Sequence, residues 1–337
     1  MKLDAFLQGT PIEDAGAIAS GLEANGFHGL WLTETRVDPF LPLAVAATRT
    51  ARLRIGTGIA VALSRSPMLA AMDAWAIQGA SGGRLDLGLG TQVKAHIERR
   101  FAMPYDRPAA RIREYVQALR HIWGAFQHEH RLSFKGDFYS FSLLSPFFDP
   151  GPIAHPRIPI YLAAVNERMF RVAGEVADGI VGHPFSTPDY LRAVGLPSLE
   201  RGLARAKRGR GEVIVSCPVF TLVDSSRTVA ADERFAREQL GFYASTPTYR
   251  AVLDHHGWGD IGEELSKLAR AGEFDELPRL VTADMFDAFV TRAATYAELG
   301  RRLRERYDGI LERVALYADA TALDRDEVRA LADGLVR

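Results

Sequence analysis

The chain has 337 residues, 41 basic against 42 acidic side chains, 47% hydrophobic residues and one cysteine, Cys217. This is the composition of a folded globular protein and excludes a disordered chain. A formal net charge of −1 gives no field for nucleic acid or an anionic membrane, and a single cysteine excludes an intrachain disulfide and a cysteine-based zinc site. The first residues are short and mixed, with Pro11, Glu13 and Asp14 following at once, so no signal peptide is expected. No run approaches the roughly 18 apolar residues of a membrane span, and a cytoplasmic location is expected.

Residues 3–7 read as a strand. Pro11 favours a helix start, and Ile12, Ala15, Ala19 and Leu22 recur at helical spacing up to Asn25-Gly26. Strands are expected at 29–33, 53–62 and 84–89, and helices at 40–50, 67–80 and 107–123. Strands alternating with helices in this way imply a parallel sheet with crossover helices. Residues 124–158 break the rhythm with a hairpin-like stretch and a Pro-rich aromatic one, which reads as an insertion over the barrel mouth. Strands resume at 158–163, 179–182 and 213–223, the last with Pro218 inside and therefore a bulge or an edge. Helices are expected at 166–177 and 187–208. Residues 228–290 read as an irregular helical insertion, followed by a helix at 295–307, a last strand at 313–318 and a closing helix at 324–336. Eight strands so spaced predict one α/β chain folded as a (β/α)8 TIM barrel. A doubly wound two-domain fold is the alternative, weakened by the lack of a G-x-G-x-x-G turn after the first strand.

In such a barrel, chemistry sits where the strands end. Glu34 follows an apolar strand and is a candidate acid or base, or else half of an ion pair with Arg36 or another arginine. Gly56, Gly58, Gly88, Gly90 and the pair Ala163-Ala164 stand at strand ends. They would let a flat ring approach the backbone, or they would serve tight barrel packing. Asn166, Glu167 and Arg168 open a helix whose free N–H groups could receive an anion. His183 is a candidate acid, base or donor. His128-x-His130 and His255-His256 lack ligand spacing, and no metal site is expected.

At residues 24–34, 55–59, 81–91, 158–164 and 176–180 the chain resembles the luciferase-like flavin and deazaflavin oxidoreductases, which are (β/α)8 barrels. The resemblance implies a cofactor ring on the strand ends. It implies a bulge with a cis peptide at Gly58-Ile59, followed by Ala60, behind that ring. It implies a cofactor phosphate on the loop Val165, Asn166, Glu167 and Arg168. Gly90, Thr91, Gln92, Ala163 and Ala164 complete the expected cofactor contacts. The family often carries His where this chain has Thr35, so proton chemistry would fall to Glu34 or His183, or to the substrate itself. The Ala163-Ala164 ending resembles members using coenzyme F420, with FMN as the alternative cofactor. The expected activity is hydride transfer between F420 and a small organic substrate. An FMN-dependent monooxygenase and a non-catalytic deazaflavin-binding protein are the alternatives. The insertion, with Phe138, Tyr139, Phe147 and Phe148, would exclude water from the mouth, and a homodimer is expected by analogy with related barrels.

Overall fold

Short apolar runs punctuated by glycine become strands buried on both faces, because helices cover one side of the sheet and barrel filling covers the other. The computed structural model describes residues 1–336. Its barrel strands are β1 (Lys2–Leu7), β2 (Gly29–Leu32), β3 (Arg54–Thr57), β4 (Leu85–Gly90), β5 (Ile160–Ala164), β6 (Gly179–Gly182), β7 (Ile214–Val223) and β8 (Arg313–Leu316). Each pairs in parallel with the next, and β8 pairs with β1, so the expected (β/α)8 barrel closes. Every residue of β4 is buried.

The helices follow from local chemistry. Ile12–Asn25 ends on Gly26 in the left-handed region at φ 100°, where a side chain would be strained. Pro67–Ala80 starts on Ser66, whose hydroxyl accepts from the Met68 N–H. Pro218 does not end β7; it lies opposite Ala315 of β8. Beyond it, Phe220–Val223 leaves the barrel wall and pairs with an extra parallel strand, Val290–Ala293, which the helical reading of that region misses.

The N-terminal end of the barrel is filled by charge. The Arg313 guanidinium donates to Asp4 and to Asp86, each at 2.7 Å. Arg54 donates to Asp86 from the other side at 2.9 Å, and the Trp31 indole N–H donates to Asp4 at 2.9 Å. Burial alone would raise the Asp4 pKa, but the charge of Arg313 and three side-chain hydrogen bonds hold it below the ordinary carboxylate value.

The 124–158 segment leaves the end of helix Pro108–Phe126 and turns back along it, so that its hairpin lies against the start of that helix: the Tyr139 hydroxyl accepts from Arg111 at 3.0 Å, and the Arg107 guanidinium stands 4.5 Å from the Phe138 ring centre. Gln78 donates to the carbonyls of His155 and Arg157, both at 3.0 Å, and the Trp75 indole donates to that of Gly151. The hairpin turn is held by Glu114, whose carboxylate accepts from the N–H groups of Asp137, Phe138 and Tyr139 at 2.7–2.8 Å. Phe147 and Phe148 point away from the protein. The 228–290 segment, with helices Val229–Ala244, Gly259–Ala271 and Ala283–Phe289, supplies residues that pack on the C-terminal strand ends instead.

Candidate functional site

The floor of the mouth is made where β3 and β4 fall out of step. Gly56 pairs with Asp86, and pairing resumes at Ala60 with Leu89, so β3 spends one residue more than its partner over this interval. The extra residue forms a bulge, and its Gly58-Ile59 peptide is cis. The Gly58 N–H donates to the Leu32 carbonyl at 2.8 Å, and the Ile59 carbonyl accepts from the Glu34 N–H at 3.3 Å.

The glycines around this bulge divide into two kinds. A methyl group on Gly88 would stand 2.0 Å from the Thr57 carbonyl oxygen, and one on Gly56 would stand 2.7 Å from that of Asp86. One on Gly58 would meet the Phe6 ring at 2.7 Å. These three serve barrel packing. Gly90 differs: the contacts there would be the Ile59 side chain at 2.7 Å and the Ala163 methyl at 3.3 Å. Ile59, Gly90 and Ala163 therefore meet on one small-residue surface, and Ile59 and Val165 share an apolar cluster with Trp31. Thr91 and Gln92 follow directly, with Gln92 in the left-handed region and its carbonyl accepting from the Tyr105 hydroxyl at 3.3 Å.

Past β5, Asn166 caps helix Glu167–Val176 by accepting from the Met169 N–H at 3.1 Å. Glu167 is exposed and paired with Arg201 at 3.0 Å, and Arg168 is exposed.

Glu34 stands at the end of β2, but its carboxylate turns inward. One oxygen accepts from the Val61 N–H at 2.7 Å and pairs with Arg65 at 3.0 Å, so the partner is Arg65 rather than Arg36. Burial pushes its pKa up, against the pull of Arg65 and the Val61 N–H. Arg65 also reaches Asp38 at 3.0 Å, and its Nη1 has no hydrogen-bond partner.

His183, after β6, lies in an aromatic nest. Its ring is 4.4 Å from that of Tyr249 and 4.6 Å from that of Tyr243. The Phe185 N–H donates to Nδ1 at 3.1 Å, which leaves the ring hydrogen on Nε2, 3.0 Å from the Tyr249 hydroxyl. Desolvation pushes its pKa down to about 3. Sequence reasoning missed the neighbours that complete this wall. Gln8, at the end of β1, donates to the Tyr317 hydroxyl, which also bonds that of Tyr243. Gln8 and Tyr317 follow barrel strands, the one signal that could have found them. Tyr243 and Tyr249 come from the irregular helical segment, where no motif marks them.

The model for luciferase-like monooxygenases matches residues 3–313. The chain belongs to the luciferase-like monooxygenase family. An uncharacterized protein of Mycobacterium tuberculosis is 45% identical over 316 residues, 93% of this chain and 92% of that one. The 5,10-methylenetetrahydromethanopterin reductase of Archaeoglobus fulgidus is 27% identical over 276 residues, 79% of this chain and 78% of the relative. The solved structure of the coenzyme F420-dependent tetrahydromethanopterin reductase from Methanopyrus kandleri superposes with a TM-score of 0.77. It covers 99% of this chain and 97% of that one at 20% identity, a likeness of fold.

In this luciferase-like barrel the mouth offers a flat backbone-and-alanine floor, a neutral imidazole and a tyrosine wall. The carboxylate at the end of β2, Glu34, is tied to an arginine. Cys217 is buried, and burial pushes its thiol up to about 12, so it supplies no thiolate near neutral pH. Among the described residues no helix is long and apolar enough to cross a membrane, and no group of three or more His, Cys, Asp or Glu side chains could hold a metal ion.

Proposed function

We propose that this protein transfers hydride between coenzyme F420 and a small organic substrate. One observation carries the reading: at the bulge after β3 the Ile59 side chain meets Gly90 and Ala163 on one small-residue surface, a floor fit for a flat ring. When bound, the deazaflavin supplies a two-electron carrier that gives or takes hydride at one ring face. In this reading Gly58, Ile59 and Ala60 back the ring. Gly90, Thr91, Gln92, Ala163 and Ala164 line its edge, and Val165, Asn166, Glu167 and Arg168 receive the phosphate at the helix start.

Glu34 and His183 remain the candidates for the accompanying proton, and their surroundings restrict what each can do. Glu34 has one oxygen engaged by Val61 and Arg65, so it orients the β2 and β3 loops and keeps only its second oxygen for exchange. His183 is neutral throughout the physiological range and acts as a hydrogen-bond donor through Nε2. Proton transfer between substrate and water completes the balance where neither residue titrates.

The test is a side-by-side titration of the protein with F420 and with FMN, followed by a screen of hydride acceptors. Tighter F420 binding with turnover supports the reading. Tighter FMN binding moves the protein to the flavin monooxygenases. F420 binding with no turnover on any acceptor makes it a cofactor-binding protein.

A further inference from the structure

The helical 228–290 segment has a groove of its own, apart from the mouth. Two adjoining cavities of about 280 and 300 Å³ lie between the end of helix Val229–Ala244 and one face of helix Gly259–Ala271. They share Thr246, Pro247, Ser266 and Arg270 as lining, and each is close to the lower end of the size range of small-molecule sites. The two walls are tied together: the Ser266 hydroxyl donates to the Ser245 carbonyl at 2.7 Å, and the Ser245 hydroxyl donates to that of Phe242 at 2.7 Å. The stretch 242–249 has a side in each place. It gives Phe242 and Pro247 to the groove, and Tyr243 and Tyr249 to the wall around His183.

The two cavities differ in character. The first is lined by the Phe242 and Phe274 rings, which are 48% and 53% exposed, together with Ala269. A ligand seated there removes aromatic surface from water on two sides. The second is lined by charge, and that charge is mostly settled. Arg250 donates to Glu263 at 2.6 Å, and Lys267 pairs with Glu264 at 3.2 Å. Arg270, which lines both cavities, is exposed and has no hydrogen-bond or ion-pair partner among the described residues. Once the internal pairs are made, one positive charge is left over beside two aromatic rings.

We propose that this groove is a second ligand site, and that it takes a small amphipathic monoanion: an apolar, ring-bearing body against Phe242 and Phe274, with its carboxylate on Arg270. The charge balance sets the class. A guanidinium with all its donors unengaged matches the two oxygens of a carboxylate. Glu263 does not oppose that anion, because Arg250 already neutralises it. A cationic ligand meets the unpaired Arg270, and a neutral one leaves that charge unused. The site and its ligand class stand independently of the hydride-transfer reading.

The probes are 2-naphthoate, 2-naphthamide and 2-naphthylmethylammonium, titrated by ligand-observed NMR against the full chain. The acid is expected to bind about three- to fivefold more tightly than the amide, the effect of one exposed ion pair, and the ammonium compound is expected to bind most weakly. Arg270→Gln keeps part of the side-chain stem and should bind acid and amide alike. Phe274→Ala removes one side of the apolar seat and should weaken both by about five- to tenfold. Both substituted side chains are exposed, so thermal unfolding of the two variants should match wild type. The proposal is overturned if the wild type binds neither acid nor amide, if it binds the amide as tightly as the acid, if Arg270→Gln retains the preference for the acid, or if Phe274→Ala binds 2-naphthoate as wild type does.

Discussion

The two ends of the barrel handle polarity in opposite ways. At the N-terminal end, Asp4, Asp86, Arg54 and Arg313 are drawn inside and satisfy one another across β1, β3, β4 and β8. At the C-terminal mouth the inward groups are mostly hydroxyls, amides and a neutral imidazole, with the buried pair of Glu34 and Arg65 at the end of β2. A closed charge network has no valence left for a ligand, whereas neutral hydroxyls and amides can exchange one partner for another. The closed end fixes the barrel, and the open end is where binding chemistry can be written.

The sharpest way to break this contrast is at Arg313. Arg313→Met leaves the Asp4 and Asp86 carboxylates buried without their shared partner, and removing one partner of a buried pair costs about 3–5 kcal/mol. Denaturant unfolding should show that loss. A variant within 1 kcal/mol of wild type would mean that the network is ornamental. The acid branch follows from Asp4, whose native pKa lies below its ordinary 3.8. Its stabilisation is complete above that ordinary value and is lost as pH falls through the lower native one. Asp4→Asn should remove this limb of the stability curve.

Next in size is the pair of glycines at the mouth floor. Gly88→Ala drives a methyl group to 2.0 Å from backbone, which cannot yield cheaply, and overpacking of this kind costs about 1–3 kcal/mol or more. Gly90→Ala meets only side chains, Ile59 and Ala163, which can shift. It should unfold near wild type, within about 1 kcal/mol, yet weaken F420 binding about tenfold by displacing Ile59 from the floor, about 1.4 kcal/mol of binding. If Gly90→Ala binds F420 normally while Gly88→Ala does not, the division of the glycines into packing and floor is wrong. Comparable to Gly88→Ala is Glu34→Gln, which keeps an acceptor for the Val61 N–H but removes the charge facing Arg65. A loss of about 1–3 kcal/mol in unfolding is expected.

The barrel was legible because buried parallel strands are written as apolar runs with helical stretches between them. Helix Pro67–Ala80 matches its expected bounds, since Ser66-Pro67 and Ser81-Gly82 punctuate it. The cis peptide at Gly58-Ile59 was reached through resemblance alone; nothing in the residue types dictates it. The polar plug was illegible for a different reason. Asp4 and Arg313 lie 309 positions apart, and no local pattern reports such a contact. The same distance effect hid the bond between Tyr243 and Tyr317 and paired Glu34 with Arg65 instead of the nearer Arg36.

The last test is of the mouth's neutrality at His183. Its native pKa is pushed down to about 3 from an ordinary 6.5, because its aromatic surroundings strip water from the ring. Between those values the unfolded chain binds a proton that the native protein does not, so stability falls as pH drops from about 6.5 toward 3 and is unaffected above. His183→Asn should soften that decline in thermal unfolding followed from pH 7 to pH 4. It should also leave the pH dependence of turnover unchanged between pH 5 and 8, because a ring that stays neutral contributes no limb there. A limb near pH 6.5 that vanishes in His183→Asn would show the imidazole titrating during turnover, and the mouth would then hold a charge as the barrel's other end does.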